Sequence, residues 1–149
     1  MNAKEYLSQA YRLDQRINSD IAEVERLRQM AAGVSAPGYG EKVVSSRSQD
    51  PPFVRYVHRV IELEDKINAE IDLLVSLKEQ IREVIDGVSN RDEQMVLRCR
   101  YIHNMTWERI GEELNADPRT VRRWHGKAID NVRIPERPIV IQFYNSDAH

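Results

Sequence analysis

The chain has very little cysteine and no long apolar run. Cys99 is the single cysteine among 149 residues, which excludes an intrachain disulfide framework and every metal site built from several thiolates. No stretch approaches the ~20 apolar residues that a membrane-spanning helix needs, and the opening MNAKEY lacks the apolar segment of a signal peptide. We therefore expect a cytoplasmic protein that needs no metal and no cofactor.

The residue groupings that enzymes use are also missing. Gly38 and Gly40 follow no predicted strand, so they do not form a phosphate-binding loop. None of the four histidines has a partner at a metal-binding or catalytic spacing; they are His58, His103, His125 and His149. We predict that the protein is not an enzyme.

Charge of one sign is likewise scarce. The chain has 22 Lys and Arg against 24 Asp and Glu, a formal net charge of -2. Any binding of nucleic acid must therefore depend on a local basic face and not on the charge of the whole chain.

Two long amphipathic helices are predicted in residues 1–88. The first begins with a capping box formed by Asn2 and Glu5, and the second runs from Pro52 to Asp86 and stops at Gly87, with Asp50 as its cap. Apolar residues recur about every 3.5 positions, as in a coiled coil. In the first helix they are Tyr6, Ala10, Leu13, Ile17, Ile21, Val24, Leu27 and Ala31; in the second, Val57, Val60, Ile61, Ile67, Ile71, Leu74, Leu77, Ile81, Val84 and Ile85.

These stripes predict an antiparallel, coiled-coil-like hairpin joined by a loop over residues 33–52. Because two helices bury little core, we expect the hairpin to pack also on the C-terminal domain or on a second copy, and a homodimer is the expected oligomer. Residues 89–134 follow as a second domain, whose first helix runs from about Asn90 to His103 with Cys99 in its core. Residues 135–149 form an extended tail, in which 139–144 are either a strand or an arm on an apolar groove. The fold class is all-α.

Residues 105–133 satisfy the steric demands of a helix-turn-helix in one register. That motif needs inward apolar residues on both helices, a very small residue at the close crossing and a turn residue that tolerates positive φ. Thr106 is the expected cap of the first helix, and Asp117 followed by Pro118 begins the second. The inward residues are Ile110, Leu114, Ala116, Val121 and Trp124, with Gly111 at the crossing and Asn115 at the turn.

The outward face of the second helix, predicted over residues 118–133, is basic. Its arginines have the length and the donors to read guanine, and Lys127 suits phosphate. Gly126 either permits close approach of DNA or is a tolerated weak point of the helix. An ordinary solvated helix face is the alternative interpretation of these charges. The predicted DNA-binding residues are Arg119, Thr120, Arg122, Arg123, Gly126 and Lys127.

Three stretches of this region resemble region four of bacterial sigma factors, which reads the -35 promoter element. They are VLRCRY at 96–101, MTWERIG at 105–111 and TVRRWHGKA at 120–128. In layout the whole chain is similar to small phage transcription regulators of the ArpU and RinA type. The resemblance implies a phage- or prophage-encoded regulator that reads double-stranded DNA. Since no counterpart of the region that melts the -10 element is present, the chain is not expected to initiate transcription alone.

Other functions fit the same pattern. The resemblance also implies a surface that grips RNA polymerase, so an adapter or helical assembly protein that never reads DNA is the main alternative. A phage DNA-packaging recognition subunit also combines a helix-turn-helix with helical oligomerisation. Such subunits place the DNA-binding unit first, whereas it comes last here.

Overall fold

A computed structural model describes residues 1–34 and 51–142 of the chain. This described part contains no β-strand, which confirms the all-α class. None of its helices is long and apolar enough to cross a membrane. The helices are α1 Ala3–Val34, α2 Pro52–Asp86, α3 Arg91–Leu97, a π-helix Arg98–Ile102, α4 Trp107–Leu114 and α5 Pro118–Asn131.

The ends of the two long helices follow local signals. At the start of α1, the Glu5 amide donates to Asn2 Oδ1 at 2.8 Å and the Asn2 amide donates to Glu5 Oε2 at 3.0 Å, so the predicted capping box is formed. The predicted bounds of α2 are confirmed. The predicted loop was too long at its first end, because α1 continues through Gly33 to Val34. Asp50 and most of that loop lie outside the described residues.

The described residues form two compact units, and α1 and α2 each contribute a stretch to both. Unit 1 contains Met1–Asp14 and the chain from Leu73 onward, and unit 2 is Gln15–Asp72.

In unit 2 the stretches of α1 and α2 pack side by side and run antiparallel. Three ion pairs show the direction, because their residue numbers rise along α1 and fall along α2. They are Arg16–Glu70 at 3.8 Å, Asp20–Lys66 at 3.3 Å and Arg28–Glu64 at 2.6 Å.

Four members of the predicted apolar stripes are exposed, so those assignments were wrong. The residues are Ile21, Val57, Ile61 and Ile71, with exposed fractions of 47, 37, 53 and 40%. A strict 3.5-residue repeat instead places Asp20 in the core of α1 and Leu63 and Glu70 in the core of α2, and all three are buried. The sequence interpretation passed over Asp20 and Glu70 because they are charged, and so selected their apolar neighbours.

In unit 1 a π-helix interrupts the helix that was predicted to run to His103. The His103 amide donates to the Arg98 carbonyl five residues earlier, at 3.1 Å. The wider turn carries one more residue than an α-helical turn, and Cys99, Tyr101 and Ile102 are all buried there. Burial raises the pKa of the Cys99 thiol, which fits its predicted place in the core.

The chain after α5 is held against the helices of unit 1 by two glutamines. Gln9 donates from Nε2 to the Ile139 carbonyl at 3.0 Å and accepts at Oε1 from the Ile141 amide at 2.8 Å. Gln80 Oε1 accepts from the Ile139 amide at 2.9 Å and from the Tyr6 hydroxyl at 2.7 Å. Residues 139–142 form no strand. The rest of the predicted tail, from Phe143 onward, lies outside the described residues.

Candidate nucleic-acid interface

Side-chain caps begin both α4 and α5. Thr106 Oγ1 accepts a hydrogen bond from the Arg109 amide at 3.2 Å, and Asp117 Oδ1 accepts one from the Arg119 amide at 2.8 Å. Pro118 occupies the first turn of α5, where its missing N–H costs nothing. Both predicted starts are therefore formed, and α5 ends at Asn131, two residues before the predicted end, because Val132 has an extended backbone.

The turn between α4 and α5 depends on Gly111 and Asn115. A Cβ at Gly111 would lie 2.6 Å from the Ala116 carbonyl oxygen and 3.6 Å from the Pro118 ring, so only glycine fits there without movement. Asn115 has φ 52° and ψ 49°, in the left-handed region that asparagine tolerates better than most residues. The Ala116 amide closes the turn by donating to the Gly111 carbonyl at 2.9 Å.

The predicted inward residues of this region meet in one apolar cluster. Ile110 and Val121 are fully buried and lie beside Val96 and Cys99. The half-buried Leu114, Ala116 and Trp124, together with Met105 and Trp107, pack against this group. Ala128 continues the buried side of α5. The cluster holds α5 by one side only, so its other side faces outward.

The predicted DNA-binding residues lie on that outward side. Five of them are exposed and Thr120 is half-buried; the exposed ones are Arg119, Arg122, Arg123, Gly126 and Lys127. Within the described chain, the side chains of the three arginines and of Lys127 make no ion pair and no hydrogen bond. With Asp130 as the only acid in α5, the helix has a formal charge of +3. Below, "the basic face" means Arg119, Arg122, Arg123 and Lys127.

Helix α4 has the opposite charge. Glu108, Glu112 and Glu113 are all exposed, and Arg109 is its single base. A polyanion is therefore attracted to α5 and repelled by α4, which limits the directions from which it can approach.

His125 is an inward residue of α5 that the sequence interpretation did not assign to the core. Its Nε2 shares a hydrogen bond of 2.6 Å with the Tyr101 hydroxyl, and its ring meets Trp107 edge-on at 4.8 Å between centroids. Burial, and then the nearby charges of Lys4 and Arg100, lower the pKa of His125 from 6.5 to about 4. His125 is thus neutral at neutral pH and does not add charge to α5. Its position one helical turn after Val121 is the sequence signal that could have assigned His125 to the core.

The described residues of unit 1 provide no metal site beside the basic face. In the part of the chain that the structure describes, no group of three or more His, Cys, Asp and Glu side chains could hold a metal ion. Arg100, which lies near the candidate interface, is engaged within the unit: its guanidinium donates to the Met105 carbonyl at 2.9 Å and stacks 4.1 Å above the Trp107 ring.

Comparison with known proteins identifies a family whose function is not established. Residues 12–133 match the family described as "Protein of unknown function (DUF722)". The match covers most of the 149-residue chain, so the chain belongs to this family. No curated protein and no solved structure matches the chain.

Proposed function

We propose that this member of the DUF722 family is a sequence-specific, double-stranded-DNA-binding transcription regulator that reads the major groove with α5. The observation that carries the proposal is the basic face, four exposed cations that pair with no acid in the described chain, on a helix whose other side packs in the apolar cluster. A helix presented in this way can enter a major groove about 12 Å wide. Under this proposal α4, the turn and α5 act as a helix-turn-helix, and the paired stretches of α1 and α2 act as a helical hairpin.

Position along α5 suggests a role for each basic side chain. Arg119, Arg122 and Arg123 lie in the first half of the helix, which enters the groove deepest in this class of motif. An arginine that reaches guanine donates two hydrogen bonds, to O6 and N7, and contributes about 1–3 kcal/mol of discrimination. Lys127 lies further along the helix and suits a phosphate, as do arginines that miss a base.

The resemblance of three stretches to sigma factor region four supports the same function, and we extend the proposal to a phage or prophage regulator. The neutral His125 also supports it. An imidazole held by Tyr101 and Trp107 fixes the rotation of α5 about its axis, so that the basic face keeps one direction.

A binding measurement tests the proposal. Fluorescence anisotropy with random and genomic duplexes should show binding that weakens with salt, and Arg123→Glu should weaken it by at least about tenfold, which is ~1.4 kcal/mol. Arg26→Glu is the matched control, because Arg26 is exposed on α1, remote in sequence from α5, and its replacement changes the net charge equally. That variant should bind as the wild type does.

Equal, weak binding by wild type and Arg123→Glu at low salt would contradict the proposal. That result would favour the alternative, an RNA polymerase-binding adapter or a helical assembly protein, and the acidic side chains of α4 would be the first contact surface to examine.

A further inference from the structure

Two carboxylates occupy core positions in the helix pair of unit 2. Asp20 of α1 and Glu70 of α2 have exposed fractions of 8 and 7%, although residues of this type are almost never fully buried without a partner. Their neighbours in the repeat are apolar and buried: Ile17 and Val24 in α1, and Ile67 in α2. Each helix thus places one acid where the repeat requires an apolar residue.

These acids lack the hydrogen bonds that buried carboxylates require. Asp20 Oδ2 and both oxygens of Glu70 accept none. Two cations lie nearby: Lys66 Nζ is 3.3 Å from Asp20 Oδ2, and an Arg16 nitrogen is 3.8 Å from Glu70 Oε2. They offset charge without donating a hydrogen bond to these three oxygens. Two carboxylates cannot supply a hydrogen-bond donor to each other, but one protonated carboxyl can.

We propose that Asp20 and Glu70 form a proton-binding pair, which holds one proton while α1 and α2 are packed in unit 2 and weakens that packing when it releases the proton. The proton supplies the missing donor between the two carboxyl groups and removes one buried negative charge. Arg16 of α1 and Lys66 of α2 are the charged groups in contact with the pair, and they favour the charged form without neutralising the cost of burial.

The direction of the pH effect follows from the two states of Glu70. Burial, then the hydrogen bond that a protonated Glu70 can donate to Asp20, and then the charge of Asp20 raise the pKa of Glu70 from 4.5 to about 7. In the separated helices the side chain returns to its ordinary value. The packed form therefore keeps a proton that the separated form loses, and packing weakens as pH rises from about 4.5 to about 7. Above that range both forms are deprotonated and the packing no longer depends on this group.

Hydrogen exchange of the full chain, followed amide by amide from pH 5 to pH 8, tests this proposal. A melting curve of the whole chain is unsuitable, because His125 gives unit 1 the opposite dependence over an overlapping range. After correction for intrinsic exchange, protection of the α1 and α2 amides around Asp20 and Glu70 should fall by at least tenfold, within a limit of roughly 70-fold that the two pKa values set between pH 5 and pH 8.

Glu70→Gln is the main variant, since an amide has the size of the carboxyl but does not titrate. Its protection should not change across this pH range. The control Glu25→Gln replaces an exposed acid of α1 and should keep the wild-type fall. If Glu70→Gln does not fold, NMR titration of the wild-type Glu70 carboxyl carbon is the test, and it should give a midpoint near 7. Flat wild-type protection, a fall that persists in the variant, or a midpoint near 4.5 would overturn the proposal. None of these results depends on whether α5 binds DNA.

Discussion

Two glycines in unit 1 should respond in opposite ways to the same substitution. Gly126 lies in α5 and is exposed, and in the described chain no atom outside the adjacent backbone of α5 lies within 4 Å of an added Cβ, whereas a Cβ at Gly111 would lie 2.6 Å from the Ala116 carbonyl oxygen. Both positions are helical, so replacement by alanine gains about 0.5–1 kcal/mol of helix preference at each. Only Gly111→Ala also forces the turn to move.

The cost of that movement can be estimated from the contacts. An overpacked position typically loses about 1–3 kcal/mol, and shifting Ala116 also endangers its 2.9 Å hydrogen bond to the Gly111 carbonyl, with a net value of ~1 kcal/mol. After the gain in helix preference, Gly111→Ala should lower the free energy of unfolding by about 1–3 kcal/mol. Gly126→Ala should raise it by about 0.5–1 kcal/mol.

Urea unfolding followed by tryptophan fluorescence measures both effects in the right place, because Trp107 and Trp124 are the two tryptophans of the chain and both pack in the unit 1 cluster. A Gly111→Ala variant as stable as the wild type would refute the close approach and, with it, the rigid presentation of α5.

The Gly126→Ala variant also separates two interpretations of that glycine. If DNA approaches the backbone there, the variant binds more weakly although it is more stable; if not, its affinity is unchanged.

Three further predictions concern single sites. Asn115→Ala should cost about 1 kcal/mol because alanine is strained at positive φ, whereas Asn115→Gly should keep the stability of the wild type in the same urea assay. Because His125 has its pKa lowered to about 4 by burial, the unfolded chain takes up a proton first, so unit 1 should lose up to about 3 kcal/mol as pH falls from 6.5 to 4; tryptophan-detected unfolding of His125→Gln should lack this loss. Light scattering of the wild type at micromolar concentration should give the mass of a dimer, and a wild-type monomer would contradict the expected homodimer. The double variant Ile61→Lys, Ile71→Lys places charges at two exposed apolar positions of α2 and should give the mass of a monomer.

Features that depend on a few adjacent residues were predictable. The capping box of Asn2 and Glu5, the end of α2 before Gly87 and the left-handed Asn115 each follow from the conformational preference of the residue itself. The close contact at Gly111 was also predictable, since a tight turn after a short helix leaves no room for a side chain. Such signals do not need the rest of the fold.

Features that depend on packing between distant segments were not predictable. The periodicity of α1 allowed either Asp20 or Ile21 as the core position, and hydrophobicity favoured the wrong one. The choice depends on supercoiling against α2, which a single helix does not reveal. The π-helix that begins at Arg98 was missed for a similar reason. Its composition does not differ from that of an α-helix, and its wider turn depends on the burial of Cys99 and Tyr101 in unit 1.

If α5 binds DNA as proposed, the salt dependence of the affinity reports how many cations contact phosphates, and so how many copies of the protein lie on one duplex. Each phosphate neutralised by a cation contributes about -0.9 to the slope of log affinity against log salt. The basic face has four cations, so one copy can reach a slope of about -3.6, and about -2 if two arginines read bases instead. Counted for the basic face alone, a slope near -7 corresponds to two copies on one duplex, whereas a slope near zero would place the basic face away from the phosphates and contradict a DNA-binding α5.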